Sequence, residues 1–370
     1  MTIFMITGFA TSEGTAKFAK NSSVNSLNFK KTHGLELSNV GIGTYLGDPN
    51  EQTDELVKNA VKQSVLSGIN VIDTAINYRA QKAERSVGKA ISELINEGKI
   101  TRDQLFISTK NGYITNDADV KQEFWEYIKT EYTQKGILKE GDVSSGYHCM
   151  TPRYLDDQLK RSMKNLGLDC VDLIYLHNAV EGQIKDISKE KFLENLKLVF
   201  ELYEQKRREG KIKFYGMATW ECFRVSFDNS QYLSLEDTVE LAKTIGGENH
   251  GFRFIQLPFN MYYDQALLTK NQTLAGKPVS ILEAASKLNV GVFTSVPLMQ
   301  GRLLTPGAMP EFNELKPSLR ALQFIRSSPG VISPLVGQKS PSHVSENLEI
   351  MKIPPMPEDE FLALVKKLTS

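Results

Sequence analysis

The chain has 370 residues, of which 44 are Lys or Arg and 44 are Asp or Glu, so its formal net charge at pH 7 is zero. A neutral chain lacks the basic surface typical of proteins that bind nucleic acid or an anionic membrane, and we expect neither as a partner. Hydrophobic residues make up 41% and charged residues 24% of the chain, which predicts a folded globular protein with a large core.

The three cysteines, Cys149, Cys170 and Cys222, are widely spaced and form no Cys-x-x-Cys pair. This pattern predicts neither a disulfide framework nor a zinc site, and it is typical of a reducing compartment. No apolar run reaches the length of a membrane span, and the opening MTIFMITGFATSEGTAKFAK lacks the pattern of a secretory signal. We therefore expect a cytoplasmic protein without a membrane segment.

Short runs rich in Val, Ile and Phe alternate along the chain with longer segments of helical periodicity. Eight runs predict β-strands: LSNVGIGT in the region 38–45, INVIDT ending at Thr74, QLFISTK ending at Lys110, CVDLIYLH ending at His177, KFYGMAT ending at Thr219, FRFIQL ending at Leu257, VGVFTSV ending at Val296 and VISPLVG ending at Gly337. Amphipathic segments such as DELVKNAVKQSVLSG separate them. Eight successive βα units with buried strands predict an α/β protein of the (β/α)8 TIM-barrel class.

Two stretches interrupt this alternation. The polar segment 111–150 follows the third strand, and a shorter irregular segment, 221–234, follows the fifth. Loops after the strands of such a barrel converge on its catalytic face, and long loops inside a compact domain are usually functional. We expect 111–150 to be an active-site loop inserted into a single barrel domain, 29–370, that is preceded by an N-terminal extension, 1–28.

The catalytic groups of a (β/α)8 barrel lie where its strands end. Polar residues at or just beyond the predicted strand ends are Asp73, Tyr78, Lys110, His177, Gln256 and Ser295. A tyrosine hydroxyl has an ordinary pKa of about 10, so it needs a neighbouring cation to act as a general acid near neutral pH. An acid, a base, an imidazole and a phenol facing one pocket predict a site for proton transfer.

The text INVIDTAINYRAQKAERSVGKAI resembles the signature of the aldo-keto reductase family, with Asp73 at the end of strand two and Tyr78 five residues later. Lys110 at the end of strand three and His177 in VDLIYLHN match the remaining catalytic positions of that family. The resemblance runs from about Phe29 to about Leu348, outside the 111–150 insertion. It implies an NAD(P)H-dependent oxidoreductase that needs no metal and reduces a small-molecule aldehyde or ketone to an alcohol.

The resemblance also implies a role for each of the four residues. Tyr78 would protonate the carbonyl oxygen as the nicotinamide delivers a hydride. Lys110, held by Asp73, would lower the pKa of Tyr78, and His177 would orient the carbonyl.

A further set of positions resembles the family's cofactor contacts, and it implies NADPH, with NADH as the alternative. Gln256 would lie under the nicotinamide ring, Lys339 and Ser340 would meet the 2′-phosphate, and Glu346 and Asn347 would meet the adenine. The full set is Gly43, Thr44, Tyr45, Thr219, Gln256, Ser295, Pro297, Leu298, Gly301, Gly337, Lys339, Ser340, His343, Glu346 and Asn347.

Three of these positions depart from the family pattern. Ser295 replaces the aromatic residue that commonly stacks on the nicotinamide, and Ala218-Thr219 replaces the Ser-Asn pair that commonly holds its carboxamide. His343 lies where an arginine often binds the 2′-phosphate, which bears directly on the choice between NADPH and NADH.

Three other interpretations compete with this one. Gly41-x-Gly43 and the Tyr78-x-x-x-Lys82 spacing resemble a dinucleotide-binding enzyme of another fold, although no helix opens directly after these glycines. A cofactor-binding regulatory barrel with vestigial turnover would retain the same residues. A barrel enzyme that forms a Schiff base would use Lys110 as its nucleophile.

Overall fold

The computed structural model describes residues 5–369, which contain twelve strands. They are β1 (Phe29–Thr32), β2 (Leu35–Ser38), β3 (Gly41–Gly43), β4 (Val71–Asp73), β5 (Phe106–Asn111), β6 (Val171–His177), β7 (Ile212–Ala218), β8 (Phe252–Pro258), β9 (Gln272–Leu274), β10 (Lys277–Val279), β11 (Gly291–Ser295) and β12 (Val331–Gly337). Eight of them close a parallel barrel in the order β3-β4-β5-β6-β7-β8-β11-β12. The eight predicted strands and the (β/α)8 TIM-barrel class are confirmed.

The helices are α1 (Ser12–Asn21), α2 (Glu51–Leu66), α3 (Lys82–Asn96), α4 (Phe124–Ile128), α5 (Pro152–Leu166), α6 (Ala179–Gln183), α7 (Lys189–Arg208), α8 (Leu235–Gly246), α9 (Gln265–Leu268), α10 (Ile281–Lys287), α11 (Pro317–Ser327), α12 (Pro341–Leu348) and α13 (Glu358–Thr369). A helix packs outside each βα unit, as parallel crossovers require. Within residues 5–369, no helix combines the length and the apolar character needed to cross a membrane.

Apolar side chains fill the barrel because its strands are buried on both faces. Every residue of β6 is buried, for example. Phe106, Phe254 and Phe293 pack against one another inside the barrel, with ring centroids 5.4 to 5.8 Å apart. The turn between β1 and β2 closes the lower end of the barrel with His33, whose ring lies 5.0 Å from that of Phe254. The opposite end, where the strands finish, stays open.

The described part of the N-terminal segment packs against this closed lower end. The Ala10 amide donates to Asp172 Oδ1 at 2.6 Å, and Lys213 Nζ donates to the Ala10 carbonyl at 2.6 Å. A Cβ on Gly14 of α1 would lie 2.4 Å from the Asp103 carbonyl oxygen, so this close approach requires glycine. Specific hydrogen bonds therefore fix the segment to the barrel strands.

Segment 111–150 folds back on the barrel around α4 and a π-helical turn, Lys129–Thr133. Tyr127 and Tyr132 are buried, and Arg85 of α3 forms an ion pair with Asp117 at 2.6 Å. The segment ends where Pro152 begins α5 at its first position, as the Thr151-Pro152 pair predicts.

Candidate active site

A cavity of about 700 Å³ opens where the barrel strands end. Three of the four predicted catalytic residues line it, and Lys110 lies directly beneath. Every predicted cofactor-binding position lines it as well, namely Gly43, Thr44, Tyr45, Thr219, Gln256, Ser295, Pro297, Leu298, Gly301, Gly337, Lys339, Ser340, His343, Glu346 and Asn347. The structure thus brings together residues as far apart in the chain as Gly43 and Asn347.

Lys110 and Asp73 form a buried ion pair at the base of this cavity. Lys110 has no exposed surface, and its Nζ donates to Asp73 Oδ2 at 2.5 Å and to the Thr74 carbonyl at 2.8 Å. Asp73 pairs in register with Ser108 of β5, whose Oγ donates to Asp73 Oδ1 at 2.8 Å. Lys110 lies two residues beyond Ser108 and therefore points to the same side of the strand. Burial lowers the pKa of Lys110, and the Asp73 carboxylate opposes that shift.

The Tyr78 side chain lies above this pair. Lys110 Nζ is 4.8 Å from the centroid of the Tyr78 ring. Tyr45 and His177 meet the same ring edge to face, with centroids 5.0 and 5.8 Å from it. Asp73, Lys110, His177 and Tyr78 therefore form one contiguous cluster.

A strained turn carries Tyr78 into this position. The three residues after it, Arg79, Ala80 and Gln81, all have positive φ angles, of 52°, 48° and 75°. Left-handed backbone at a non-glycine residue costs roughly 1 to 2 kcal/mol, so the turn needs support. Arg79 supplies it, because its buried guanidinium pairs with Asp54 of α2 and its Nε donates to the Asp48 carbonyl at 3.1 Å.

The net shift of the Tyr78 pKa is upward, although a cation such as Lys110 would by itself lower it. Burial raises the pKa of the Tyr78 hydroxyl well above its usual range, and the nearby Asp73 carboxylate adds to that rise. The Lys110 ammonium opposes the shift but is itself neutralised by Asp73, so desolvation decides the direction. Tyr78 accordingly keeps its proton at neutral pH and is available as a donor.

His177 is held in the neutral form. Burial lowers its pKa well below the usual range, and the Lys110 charge lowers it further. A neutral imidazole carries one N–H, which suits a hydrogen bond to a carbonyl oxygen. Its Nδ1 is buried and has no hydrogen-bond partner among residues 5–369.

Two residues of the 111–150 segment, His148 and Tyr113, lie beside His177, and the sequence motifs did not identify either of them. His148 is fully buried, and its Nε2 lies 2.8 Å from the His177 carbonyl oxygen. A carbonyl oxygen can only accept, so His148 Nε2 is the donor. The ring of Tyr113 lies edge to face between those of His148 and His177, at 5.4 and 5.0 Å, and Tyr113 lines the cavity. A Cβ on Gly112 would lie 2.3 Å from His148 Nε2, so the fit depends on glycine there.

The burial of His148 predicts a loss of stability in acid. Burial lowers its pKa from 6.5 to about 4, so the unfolded chain binds this proton more readily than the folded one. Stability is unaffected by this group above pH 6.5 and falls as the pH drops toward 4, and the loss at pH 4 amounts to about 3 kcal/mol. In urea denaturation, His148→Gln should lose correspondingly less stability than wild type between pH 7 and 4. If the free energies of unfolding of the two proteins changed with pH in parallel, the role of His148 in acid stability would be contradicted.

The far end of the cavity has the features of a dinucleotide site. A Cβ on Gly301 or Gly337 would meet no atom within 4 Å, so the backbone at both positions is open to the cavity. Gln256 is 4% exposed, and its Nε2 is buried without a partner. Ser340 caps α12 by accepting from the His343 amide at 3.4 Å, and a helix N-terminus favours anions. The residues present therefore fit a nicotinamide dinucleotide.

Glu346 and Asn347 are already fixed in place on α12. Ser318 Oγ donates to Glu346 Oε1 at 2.5 Å, and Lys316 forms an ion pair with the other carboxylate oxygen at 3.3 Å. Asn347 Nδ2 donates to Gln338 Oε1 at 3.0 Å. A ligand at this rim meets side chains whose positions are set in advance.

These features place the chain in a family. The model of the aldo/keto reductase family matches residues 39–310, and the chain belongs to that family. Relatives of this chain include named oxidoreductases, and the cluster of Asp73, Tyr78, Lys110 and His177 lies at the end of the barrel where barrel enzymes carry their active sites.

Two relatives span most of the chain and a third spans half of it. A Schizosaccharomyces pombe protein, provisionally named a voltage-gated potassium channel subunit beta, is 23% identical over 86% of each chain. The uncharacterised oxidoreductase YqkF of Bacillus subtilis is 24% identical over 90% of this chain and 93% of its own. The NADH-specific methylglyoxal reductase of Escherichia coli is 28% identical over 50% of each.

Solved structures share the fold. An aldo/keto reductase from Klebsiella pneumoniae, in complex with NADP and acetate, is 19% identical with a TM-score of 0.57, over 90% of this chain and 92% of that one. An aldo-keto reductase from Bacillus halodurans in its holo form is 18% identical with a TM-score of 0.60, over 92% and 95%.

Proposed function

We propose that this protein reduces an aldehyde or ketone to an alcohol with NADPH. The observation that carries the proposal is the buried Lys110–Asp73 pair beneath Tyr78, with His177 beside the same phenol. Such a cluster at the mouth of a barrel can donate a proton to a carbonyl oxygen. The NADP complexes of the structural neighbours from Klebsiella pneumoniae support the cofactor.

Each residue has a definite task in this proposal. Tyr78 donates its proton to the carbonyl oxygen, and its high pKa keeps that proton available. Lys110 places a positive charge beside the phenol and so stabilises the negative charge that develops there during transfer. His177, neutral and rigidly held, donates its N–H to the same oxygen and fixes its position. When bound, the nicotinamide supplies the hydride that reduces the carbonyl carbon.

The substrate end of the cavity favours a neutral carbonyl compound. Among the described residues that line the cavity, Lys339 is the only lysine or arginine, and it lies beyond β12 at the dinucleotide end. The other lysine of the site, Lys110, is buried and already paired. A carboxylate substrate would thus lose its hydration without gaining a counter-charge.

The experiment that tests the proposal compares neutral aldehydes and ketones with keto acids of similar size, following the loss of NADPH absorbance. We expect turnover of the neutral compounds, with kcat/KM about tenfold or more above that of the acids. NADPH binding without turnover of any carbonyl would contradict the proposed activity. Preferred turnover of the acids would contradict the assignment of the substrate end.

We also propose that Lys339, Ser340 and His343 select NADPH over NADH. Arginine at position 343 would offer two parallel donors and a permanent charge to a 2′-phosphate. His343→Arg should therefore lower the Kd for NADPH about tenfold and leave the Kd for NADH unchanged. Equal changes in both Kd values would place the 2′-phosphate elsewhere.

The 111–150 segment, in this proposal, is an active-site wall inserted into one barrel domain that spans 29–370 and follows the extension 1–28. Support comes from Tyr113, which lines the cavity, and from His148, which holds the His177 carbonyl. Tyr113 adds a second phenol, whose oxygen accepts from Asn178 Nδ2 at 3.2 Å.

One observation favours a second function, a cofactor-binding regulatory barrel with vestigial turnover. It is the similarity to the Schizosaccharomyces pombe protein named for a channel subunit. A Schiff-base enzyme is less favoured, because Lys110 Nζ is buried, makes two hydrogen bonds and does not line the cavity. NADPH binding without carbonyl turnover would support the regulatory alternative.

A further inference from the structure

The end of β7 holds a polar contact whose donors and acceptors can be counted. Thr219 follows β7 and lies beside Gln256 of β8, since Ala218 pairs with Gln256 and the Thr219 amide donates to the Gln256 carbonyl at 2.9 Å. Thr219 is 6% exposed and Gln256 4%, and both line the cavity. The two side chains therefore form one buried subsite.

Glu181 of α6 lies behind Thr219 and does not line the cavity. Its Oε1 accepts from the backbone amides of Trp220 and Glu221, at 2.8 and 2.7 Å, and lies 2.6 Å from Thr219 Oγ1. Backbone amides can only donate, so Oε1 is an acceptor in all three contacts. The hydroxyl proton of Thr219 is consequently directed at Glu181.

This geometry leaves the Thr219 hydroxyl with one unused lone pair. A hydroxyl has one proton and two lone pairs. The proton points to Glu181, and one lone pair accepts from the Cys222 amide at 3.0 Å. Toward the cavity, Thr219 can therefore only accept a hydrogen bond.

We infer that Glu181 is a positioning residue that makes Thr219 an acceptor for the amino group of the nicotinamide carboxamide. A hydrogen bond from that amino group to Thr219 Oγ1 fixes the rotation of the amide, because the carboxamide oxygen cannot replace the amino group as a donor. The inference rests on the proposed function, since it requires a nicotinamide in the cavity. It assigns a role to Thr219-Glu181 at the place where the family's usual Ser-Asn pair is absent.

Two cofactor analogues separate the groups involved. The 3-acetylpyridine analogue of NADP⁺ has a methyl in place of the carboxamide amino group, whereas the thionicotinamide analogue keeps that amino group. Calorimetric titration of wild type should show the acetylpyridine analogue binding about tenfold more weakly than NADP⁺, because a buried acceptor loses its donor. The thionicotinamide analogue should bind within about threefold of NADP⁺. We call the Kd of the acetylpyridine analogue divided by the Kd of NADP⁺ the acetylpyridine ratio. It is measured without turnover.

Variants test the part played by Glu181. Thr219→Val and Glu181→Ala should bring the acetylpyridine ratio close to one, since the first removes the acceptor and the second frees the hydroxyl to donate. Thr219→Ser keeps the hydroxyl, and Glu181→Gln keeps the oxygen that accepts from it. Both variants should therefore retain the acetylpyridine ratio of wild type. Thr219→Val leaves the two amide bonds to Glu181 in place, so the prediction does not depend on the folding of Glu181→Ala.

The outcomes separate this inference from the proposed function. If wild type binds NADP⁺ and the acetylpyridine analogue equally well, the inference is wrong and the reductase function stands. An undiminished ratio in Glu181→Ala or Thr219→Val also overturns it. If neither nucleotide binds, the proposed function is overturned together with the inference.

Discussion

Tyr78→Phe should lower kcat by about 10² to 10⁴, because it removes the proton donor while leaving the ring in place. The phenyl ring keeps its contacts with Tyr45 and His177, whose centroids lie 5.0 and 5.8 Å away. The Kd for NADPH, measured by fluorescence titration, should stay within about threefold of wild type. A loss confined to kcat identifies the hydroxyl as a group that acts in the transition state.

Tyr113→Phe is the matched control for this variant. Tyr113 is a second phenol that lines the cavity, but its hydroxyl faces Asn178 rather than Lys110. We expect its effect on kcat to be about tenfold or less. Equal losses in the two variants, or an active Tyr78→Phe enzyme, would contradict the assignment of Tyr78 as the acid.

Lys110→Met should destabilise the protein by about 3 to 5 kcal/mol, because it leaves the Asp73 carboxylate buried without a counter-charge. The carboxylate would keep only the Ser108 hydroxyl, which donates to its Oδ1 at 2.8 Å. The same change should reduce kcat at least about hundredfold, since no positive charge remains beside Tyr78. Urea denaturation measures the first effect and initial rates measure the second.

The double variant Lys110→Met/Asp73→Asn separates stability from activity. Removing both charges eliminates the uncompensated carboxylate, so it should recover part of the lost stability. It should recover none of the activity, because the charge near Tyr78 is still missing. Wild-type stability in Lys110→Met, or restored turnover in the double variant, would contradict the role of the ion pair.

Much of the fold could be predicted because buried parallel strands leave a clear trace in the sequence. VDLIYLH and VISPLVG are mostly apolar, with only Asp172, His177 and Ser333 as polar residues, as expected for strands covered on both faces. The two hairpins outside the barrel were not predicted. The turns at His33-Gly34 and Ala275-Gly276 both use positive φ angles, but they lack the Asn-Gly or Asp-Gly pair that marks such turns in a sequence.

Part of the site could be predicted because its residues lie at the ends of strands. Asp73, Lys110 and His177 were found because each closes an apolar run. His148 and Glu181 do not end strands, and their positions depend on how segment 111–150 and α6 fold back over the barrel. No spacing in the sequence reports such contacts.

The net direction of the Tyr78 pKa shift could not be predicted from Lys110 alone. The sequence identifies a lysine near the tyrosine, and a cation alone would lower the pKa. It does not show that the phenol is buried, and burial together with the nearby Asp73 carboxylate raises the pKa. The consequence for the mechanism is that Tyr78 retains its proton until the carbonyl oxygen begins to draw it away.

Transfer of an isotopic label from the cofactor to the product tests the central claim most directly. The enzyme would be incubated with NADPH deuterated at the transferable C4 position and a neutral aldehyde, and the alcohol analysed by mass spectrometry. We expect one deuterium on the former carbonyl carbon with wild type and a yield lower by at least about a hundredfold with Tyr78→Phe. Tight binding of NADPH with no deuterium in any product would contradict the claim that this barrel is a reductase.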